Sequence, residues 1–219
     1  MNTIKSKRIK AFTLVEMLIV IVLLIVVLIM ISQIFLSIHK YNQILSSQTD
    51  LMRQKREITR VMGQDIRNSC NLYPGTIVTI EGVSYKVPAS DGSGGTELLM
   101  AIPEYVKSTG LISSYTIIGY YLVGNSSDVN NKNSYNLIRC YYPRVIPVIQ
   151  NDPSTINLAA LKGGTKKVCA RYLLKSGYVL TISNSGVSVG LTASLRETRT
   201  KTGQPAEDRL SFTMNRRNI

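Results

Sequence analysis

The chain has 219 residues, with 26 Lys and Arg against 13 Asp and Glu, which gives a formal charge of +13 at pH 7. This length predicts one domain with an added segment, or at most two small domains. The single histidine, His39, and three cysteines without CxxC spacing exclude the usual metal-binding patterns, so we expect no metal and no cofactor. No histidine or paired carboxylates accompany a nucleophile, and we expect no enzymatic activity.

The N-terminal part combines a basic leader with a long apolar run. Residues 1–11 hold four basic residues and no acidic one. The run from Phe12 to Leu36 is interrupted only by Thr13, Glu16, Ser32 and Gln33. A helix of this length can cross a hydrocarbon core of about 30 Å, and the basic leader predicts a cytoplasmic N-terminus. No small-residue cleavage site follows the run, so we expect it to remain in the protein.

Helical periodicity continues beyond the apolar run. We predict one helix from about Phe12 to Cys70, since no proline occurs before Pro74. Its second half is amphipathic, and its apolar stripe is expected to pack on a sheet. The predicted stripe consists of Ile34, Ile38, Tyr41, Leu45, Met52, Ile58, Met62 and Ile66.

After Pro74 short β-rich runs alternate with turn residues, and Glu81-Gly82 is a hairpin signal. We predict loops at Asp91–Gly95 and Lys201–Asp208, and an α+β fold in which the long helix packs on a mostly antiparallel sheet. The predicted strands are Thr76–Ile80, Val83–Val87, Tyr115–Val123, Asn136–Tyr142, Val168–Leu174, Tyr178–Ile182, Gly186–Thr198 and Asp208–Asn215.

The basic leader followed by "AFTLVEMLIVIVLL" resembles the class III signal of type IV prepilins and pseudopilins. The match lies at Phe12 to Glu16, while Ala11 stands where the family nearly always has glycine. The resemblance implies that a prepilin peptidase cleaves between Ala11 and Phe12 on the cytoplasmic side. It also implies methylation of the new Phe12 amine by the same enzyme.

Glu16 is a carboxylate within a membrane-spanning run, and such groups usually have a partner and a function. The resemblance implies that Glu16 pairs with the Phe12 amine of a neighbouring subunit and so sets the register of assembly. The alternative is that Glu16 lies one helical turn from the membrane edge and extends to the interface.

Three further segments resemble minor pilins of the PilW/GspJ type: Arg56–Ser69, Ile117–Pro143 and Leu210–Asn218. This resemblance implies a minor pilin or pseudopilin that primes assembly of a filament and lies at its tip. The implied partners are other minor and major pilins, the prepilin peptidase, a platform protein, an assembly ATPase, and membrane lipid before assembly. The implied division is a leader at 1–11, a membrane and assembly helix at 12–36, an amphipathic helix at 37–70 and an extracytoplasmic head at 71–219.

The sequence does not identify the assembly system, because a type IV pilus, a competence pilus and a type II secretion system share this subunit design. Two alternative functions also remain. One is a tip subunit that binds DNA or a surface, with steep salt dependence for DNA. The other is an uncleaved single-span membrane receptor. The candidate basic surface consists of Arg139, Arg144, Lys166, Lys167, Arg171, Arg216 and Arg217; Arg196 and Arg199 also contribute to the positive charge of the head.

One pair of cysteines could form a disulfide outside the cytoplasm and leave one thiol free. Cys140 and Cys169 both lie in predicted strands, so we favour that pair over pairs with Cys70.

Overall fold

The computed structural model describes residues 13–126, 133–183, 188–197 and 206–216. The chain forms two compact units, Met1–Leu45 and Ser46–Ile219. We call the second unit the head. The predicted α+β class is confirmed: one long helix is followed by a mostly antiparallel β-sheet.

Helix α1 runs from Leu14 to Asn68, 55 residues, close to the predicted bounds. Its N-terminal part is apolar on all sides, with a mean hydropathy of 3.5 in a window of which none is buried. By length and composition this part is able to cross a membrane. The helix ends where Ser69 donates from its hydroxyl to the Ile66 carbonyl and the Cys70 N–H turns to the Ala101 carbonyl of the sheet.

Within the head, α1 buries Leu51, Ile58, Met62 and Ile66 in the core. The predicted stripe is correct for the last three of these. It is wrong at Met52, which is 55% exposed, whereas Leu51 is 1% exposed. One residue corresponds to about 100° of rotation around a helix, so a prediction that is off by one residue selects a different face.

The sheet is antiparallel throughout, in the order β1-β5-β6-β7-β8-β9-β10, with β4 paired to β8, and β2 and β3 form a separate hairpin. The strands are β1 Asn71–Leu72, β2 Ile77–Ile80, β3 Val83–Lys86, β4 Gly94–Gly95, β5 Leu98–Tyr105, β6 Ile112–Gly124, β7 Ser134–Val145, β8 Thr165–Ser183, β9 Ser188–Glu197 and β10 Ala206–Asn215.

The β2–β3 hairpin turns at Glu81 and Gly82, as predicted, and pairs Ile80 with Val83. Both turn residues have positive φ, 47° and 80°. A two-residue turn with positive φ at both positions matches the right-handed twist of the flanking strands. The side chain of Tyr85 on β3 is fully buried against Gly119 and Tyr121 of β6, so the hairpin packs on the sheet.

The sequence prediction differs from the structure at five places in the sheet. Two predicted strands form the single strand β8, whose pairing with β9 shifts register between Leu174 and Val179, as in a β-bulge. Strands β1 and β5 were not predicted. Gly94 and Gly95, predicted as loop, pair with β8, and residues 206–208 belong to β10 rather than to a loop. The predicted strand ends at residues 186, 187 and 198, and residues 201–205 of the predicted loop, lie outside the described residues.

Candidate functional site

The first candidate site is the N-terminus of α1. The Glu16 Oε2 atom accepts hydrogen bonds from the backbone N–H and the hydroxyl of Thr13, both at 2.9 Å. In return, the Thr13 hydroxyl oxygen accepts from the Glu16 backbone N–H at 3.3 Å. This reciprocal arrangement is a capping box, which satisfies backbone donors that have no partner at the start of a helix.

The capping box gives Glu16 a role within its own chain that the sequence analysis missed. The signal was present, since Thr-Leu-Val-Glu has the Ser/Thr-x-x-Glu spacing of this motif. Among the described residues, the other carboxylate oxygen, Oε1, accepts no hydrogen bond. The carboxylate therefore has capacity to accept from a cation while it caps the helix. Ala11 and Phe12 lie outside the described residues.

The second candidate site joins α1 to the sheet at Asp65. Arg139 on β7 donates from Nε to Asp65 Oδ2 at 2.7 Å and from Nη2 to Oδ1 at 3.0 Å. The Tyr120 hydroxyl on β6 donates to the same Oδ2 at 2.5 Å. The two side chains of the ion pair retain only 21% and 10% exposure, so both charges are largely removed from water.

The surroundings of Arg139 and Tyr120 keep the first charged and the second neutral. Burial by itself lowers the pKa of Arg139, but the hydrogen bonds and charge of Asp65 outweigh it, and the pKa is raised. Burial and the Asp65 charge also raise the pKa of the Tyr120 hydroxyl, which therefore stays protonated and donates. A buried ion pair whose charges are hydrogen-bonded is costly to break from one side, so the cluster fixes how α1 lies on the sheet.

The candidate basic surface is not one surface, and Arg139 does not belong to it because Asp65 binds it. Lys166 lies opposite Cys140 and Lys167 lies opposite Arg139, so adjacent lysines point to opposite faces of the sheet. Arg144 and Arg171 are exposed, Arg216 is half-buried, and Arg217 and Arg199 lie outside the described residues. Within the described part of the chain, the Nε atom of the half-buried Arg196 has no hydrogen-bond partner.

The predicted disulfide between Cys140 and Cys169 is not formed, and all three cysteines are free. Cys140 lies beside Tyr142 and Tyr85, on the face of the sheet that the β2–β3 hairpin covers. Cys169 lies near Arg139 and Asp65, on the α1 face, and is the extra residue at a register shift between β7 and β8. Two thiols on opposite faces of a sheet do not meet the geometry of a disulfide.

The comparisons with known proteins point to the N-terminal segment. The model of the prokaryotic N-terminal methylation motif matches residues 6–32. No curated protein shows significant similarity to the chain, and neither does any solved structure. Among the residues that the structure describes, no three His, Cys, Asp or Glu side chains lie together as a metal site.

The motif and the fold together define a class. The chain is like the type IV pilins and pseudopilins: an apolar N-terminal helix with the prepilin methylation motif precedes an antiparallel β-sheet. The motif implies processing by a prepilin peptidase and assembly with other pilins. The apolar helix and the motif also fit a protein anchored in a membrane.

Proposed function

We propose that the chain is a minor pilin or pseudopilin that primes assembly of a type IV pilus-like filament and lies at or near its tip. The observation that carries this proposal is the methylation motif at residues 6–32, which overlaps a helix whose apolar window has no buried residue. An apolar helix of this kind requires lipid or other helices around it.

In the proposed mechanism, the peptidase removes residues 1–11 and the Phe12 amine becomes the N-terminus, exposed to a neighbouring subunit. The helix holds the subunit in the cytoplasmic membrane, with the N-terminus on the cytoplasmic side and the head outside. Glu16 then pairs with the Phe12 amine of the neighbour. Its unused Oε1 supports this role, since the carboxylate can accept the amine without giving up the capping box. The platform protein and the ATPase would move the subunit from lipid into the filament.

The assignment to the PilW/GspJ type has structural support in the segments that suggested it. Asp65 comes from the helix segment, and Tyr120 and Arg139 come from the two paired strands of the segment Ile117–Pro143. These three side chains meet in one buried cluster. The resemblance therefore concerns residues that contact one another, rather than scattered similarities.

The test exploits the two roles of Glu16. Glu16→Gln keeps a side chain that can cap the helix, because Gln also serves in a capping box, but it removes the charge. Thr13→Ala is the matched variant, since it removes the capping hydroxyl and keeps the charge. We would express each full-length variant in the native host and measure its incorporation into sheared filaments, or into the purified assembly complex, by immunoblot.

If Glu16 pairs with an amine, Glu16→Gln reduces incorporation at least tenfold while membrane levels stay normal, and Thr13→Ala has a smaller effect. Equal incorporation of Glu16→Gln and the native chain would contradict the charge pair. Absence of the native chain from every filament and assembly complex would contradict the proposed function as a whole.

A further inference from the structure

Strand β10 forms one edge of the large sheet in the head. Within the described part of the chain it pairs with β9 over its whole length, and no strand lies on its other side. An open edge presents a row of backbone N–H and C=O groups that can pair with a strand of another molecule. With ten residues, β10 offers such an edge about 33 Å long.

The contact at Arg209 shows which backbone groups of β10 face outward. The Arg209 carbonyl accepts from the Lys55 Nζ atom of α1 at 2.8 Å, so it points away from β9. The register with β9 is unbroken, and the direction of the backbone groups alternates along an antiparallel strand. The outward groups therefore belong to Glu207, Arg209, Ser211, Thr213 and Asn215.

Lys55 occupies this edge near its middle. Its ammonium group also donates to both carboxylate oxygens of Asp208, at 3.3 Å and 3.4 Å, which holds it beside the strand. A cavity of about 730 Å³ lies between this part of α1 and β10, with Thr59 and Leu210 among its walls. The helix itself therefore leaves the edge uncovered. Among the described residues, no side chain other than Lys55 bonds to the outward backbone groups.

The opposite edge of the sheet is protected in a different way. Strand β1 pairs with β5 only at Met100 and Ala101, and Pro103 beyond them has no N–H to donate. The register of β5 with β6 also shifts between Glu104 and Tyr105, as in a β-bulge. Prolines and bulges on edge strands both hinder pairing with another chain. Strand β10 has neither, so its protection depends on Lys55.

The sequence of β10 does not by itself oppose pairing with a second copy. In an antiparallel pair of β10 strands centred on Ser211, Glu207 lies opposite Asn215 and Arg209 lies opposite Thr213. No like charges face each other in this register, so no charge repulsion between opposite residues prevents it. The Arg209 carbonyl would accept from the Thr213 N–H of the second copy, and this is the carbonyl that Lys55 occupies.

We propose that Lys55 blocks the open edge of the sheet and keeps β10 from pairing with β10 of a second copy. Asp208 is the positioning residue, because it holds the ammonium group at the Arg209 carbonyl. The inference concerns the folded head, and it depends neither on the proposed function nor on the pairing of Glu16.

The test compares full-length variants in detergent. Lys55→Met removes the donor and keeps a long side chain, whereas Lys55→Arg keeps a cation that can donate. Lys162→Met is the matched control, since it removes an exposed charge outside the strands. Sedimentation velocity over a range of protein concentrations measures self-association. We expect Lys55→Met to associate at least tenfold more tightly than the native chain, and Lys55→Arg and Lys162→Met to behave like the native chain. Any association through α1 is common to all of them.

Hydrogen exchange and a second substitution locate the contact. When Lys55→Met associates, the Ser211 and Thr213 amides should exchange at least fivefold more slowly, because their outward N–H groups become paired. Ser211→Pro removes an outward N–H without removing a bond to β9, so adding it to Lys55→Met should abolish the association. Native sedimentation of Lys55→Met, unchanged exchange at the two amides, or association that survives Ser211→Pro would overturn the proposal. An unfolded variant that aggregates belongs to the last case, since Ser211→Pro cannot restore its fold.

Discussion

Asp65 on α1 and Arg139 on β7 are 74 residues apart in the sequence and share two hydrogen bonds, at 2.7 Å and 3.0 Å. Tyr120 adds a third to the same carboxylate. Apolar side chains of α1 surround this contact, and apolar packing alone tolerates small shifts of one surface over another. The ion pair does not tolerate such shifts, because its two parallel hydrogen bonds form in only one relative position of the two side chains. We infer that it sets the register between helix and sheet.

Replacing Asp65 by Ala leaves the Arg139 guanidinium largely buried without its partner. Such a change costs about 3 to 5 kcal/mol of stability, whereas replacing both partners by apolar residues of similar size costs much less. We expect Asp65→Ala to lower the free energy of unfolding by that amount. The triple variant Asp65→Leu, Tyr120→Phe and Arg139→Met should restore most of it, because it also removes the hydroxyl that donates to Asp65. Urea denaturation of the full-length chain in detergent, followed by tyrosine fluorescence, measures both. A single-variant loss below about 1 kcal/mol would refute the role assigned to the pair.

Two buried tyrosines provide a matched comparison. The Tyr120 hydroxyl donates to Asp65, whereas the buried Tyr178 hydroxyl has no hydrogen-bond partner among the residues that the structure describes. A hydrogen bond to a charged group contributes about 1.5 to 3 kcal/mol, while an unpaired buried hydroxyl is a cost. Tyr120→Phe should therefore destabilise the head by roughly that amount, and Tyr178→Phe should leave stability unchanged or raise it. The same urea denaturation distinguishes them, and equal losses would contradict the hydrogen-bond assignment.

Two adjacent residues on α1 test which face of the helix packs against the sheet in the head. Leu51 is 1% exposed and Met52 is 55% exposed. Truncation of a buried Leu to Ala costs about 2 to 5 kcal/mol, whereas exposed positions usually change stability by less than about 0.5 kcal/mol. Leu51→Ala should lower the thermal unfolding midpoint clearly and Met52→Ala should not. The reverse order would show that the helix presents the predicted stripe after all.

The cysteines should behave as three free, poorly reactive thiols. Burial raises the pKa of Cys169 to about 11 and also raises that of Cys70. Because the fold favours the protonated Cys169 thiol, this contribution to stability is present below about pH 9 and is lost as the pH rises through about 11.

At pH 8 the native chain should react slowly with iodoacetamide at Cys169, since the thiolate is the reactive form. After denaturation without reductant, mass spectrometry should show all three cysteines alkylated. Alkylation of one cysteine alone, with the other two unmodified, would support the disulfide after all.

Local patterns predicted the parts of the fold that depend on neighbours in sequence. Composition and periodicity predicted the bounds of α1 to within about two residues, and Glu81-Gly82 predicted the hairpin turn. Both signals depend on residues that are close together in the sequence. Strand β5 was not predicted because it contains Pro103, and proline is disfavoured within strands. In the structure β1 covers only Met100 and Ala101, so Pro103 lies where β5 is an edge strand.

The errors at the candidate sites arise from contacts between distant segments. Asp65 follows the spacing of the buried stripe, but only the register of β6 and β7 reveals that Tyr120 and Arg139 meet it. The cysteine prediction failed for the same reason, since a register shift between strands decides which face Cys169 occupies. The Thr13–Glu16 contact was within reach of sequence reasoning, because its spacing alone defines a capping box.

The central claim, that the N-terminal segment is a prepilin signal in use, is tested most directly by the intact mass and N-terminal sequence of the chain extracted from native membranes. The proposal predicts a mature chain that begins with N-methylated Phe12, which would also show that the peptidase accepts Ala11 before the cleavage site. A chain that still carries residues 1–11 would contradict the proposal and favour an uncleaved single-span membrane receptor.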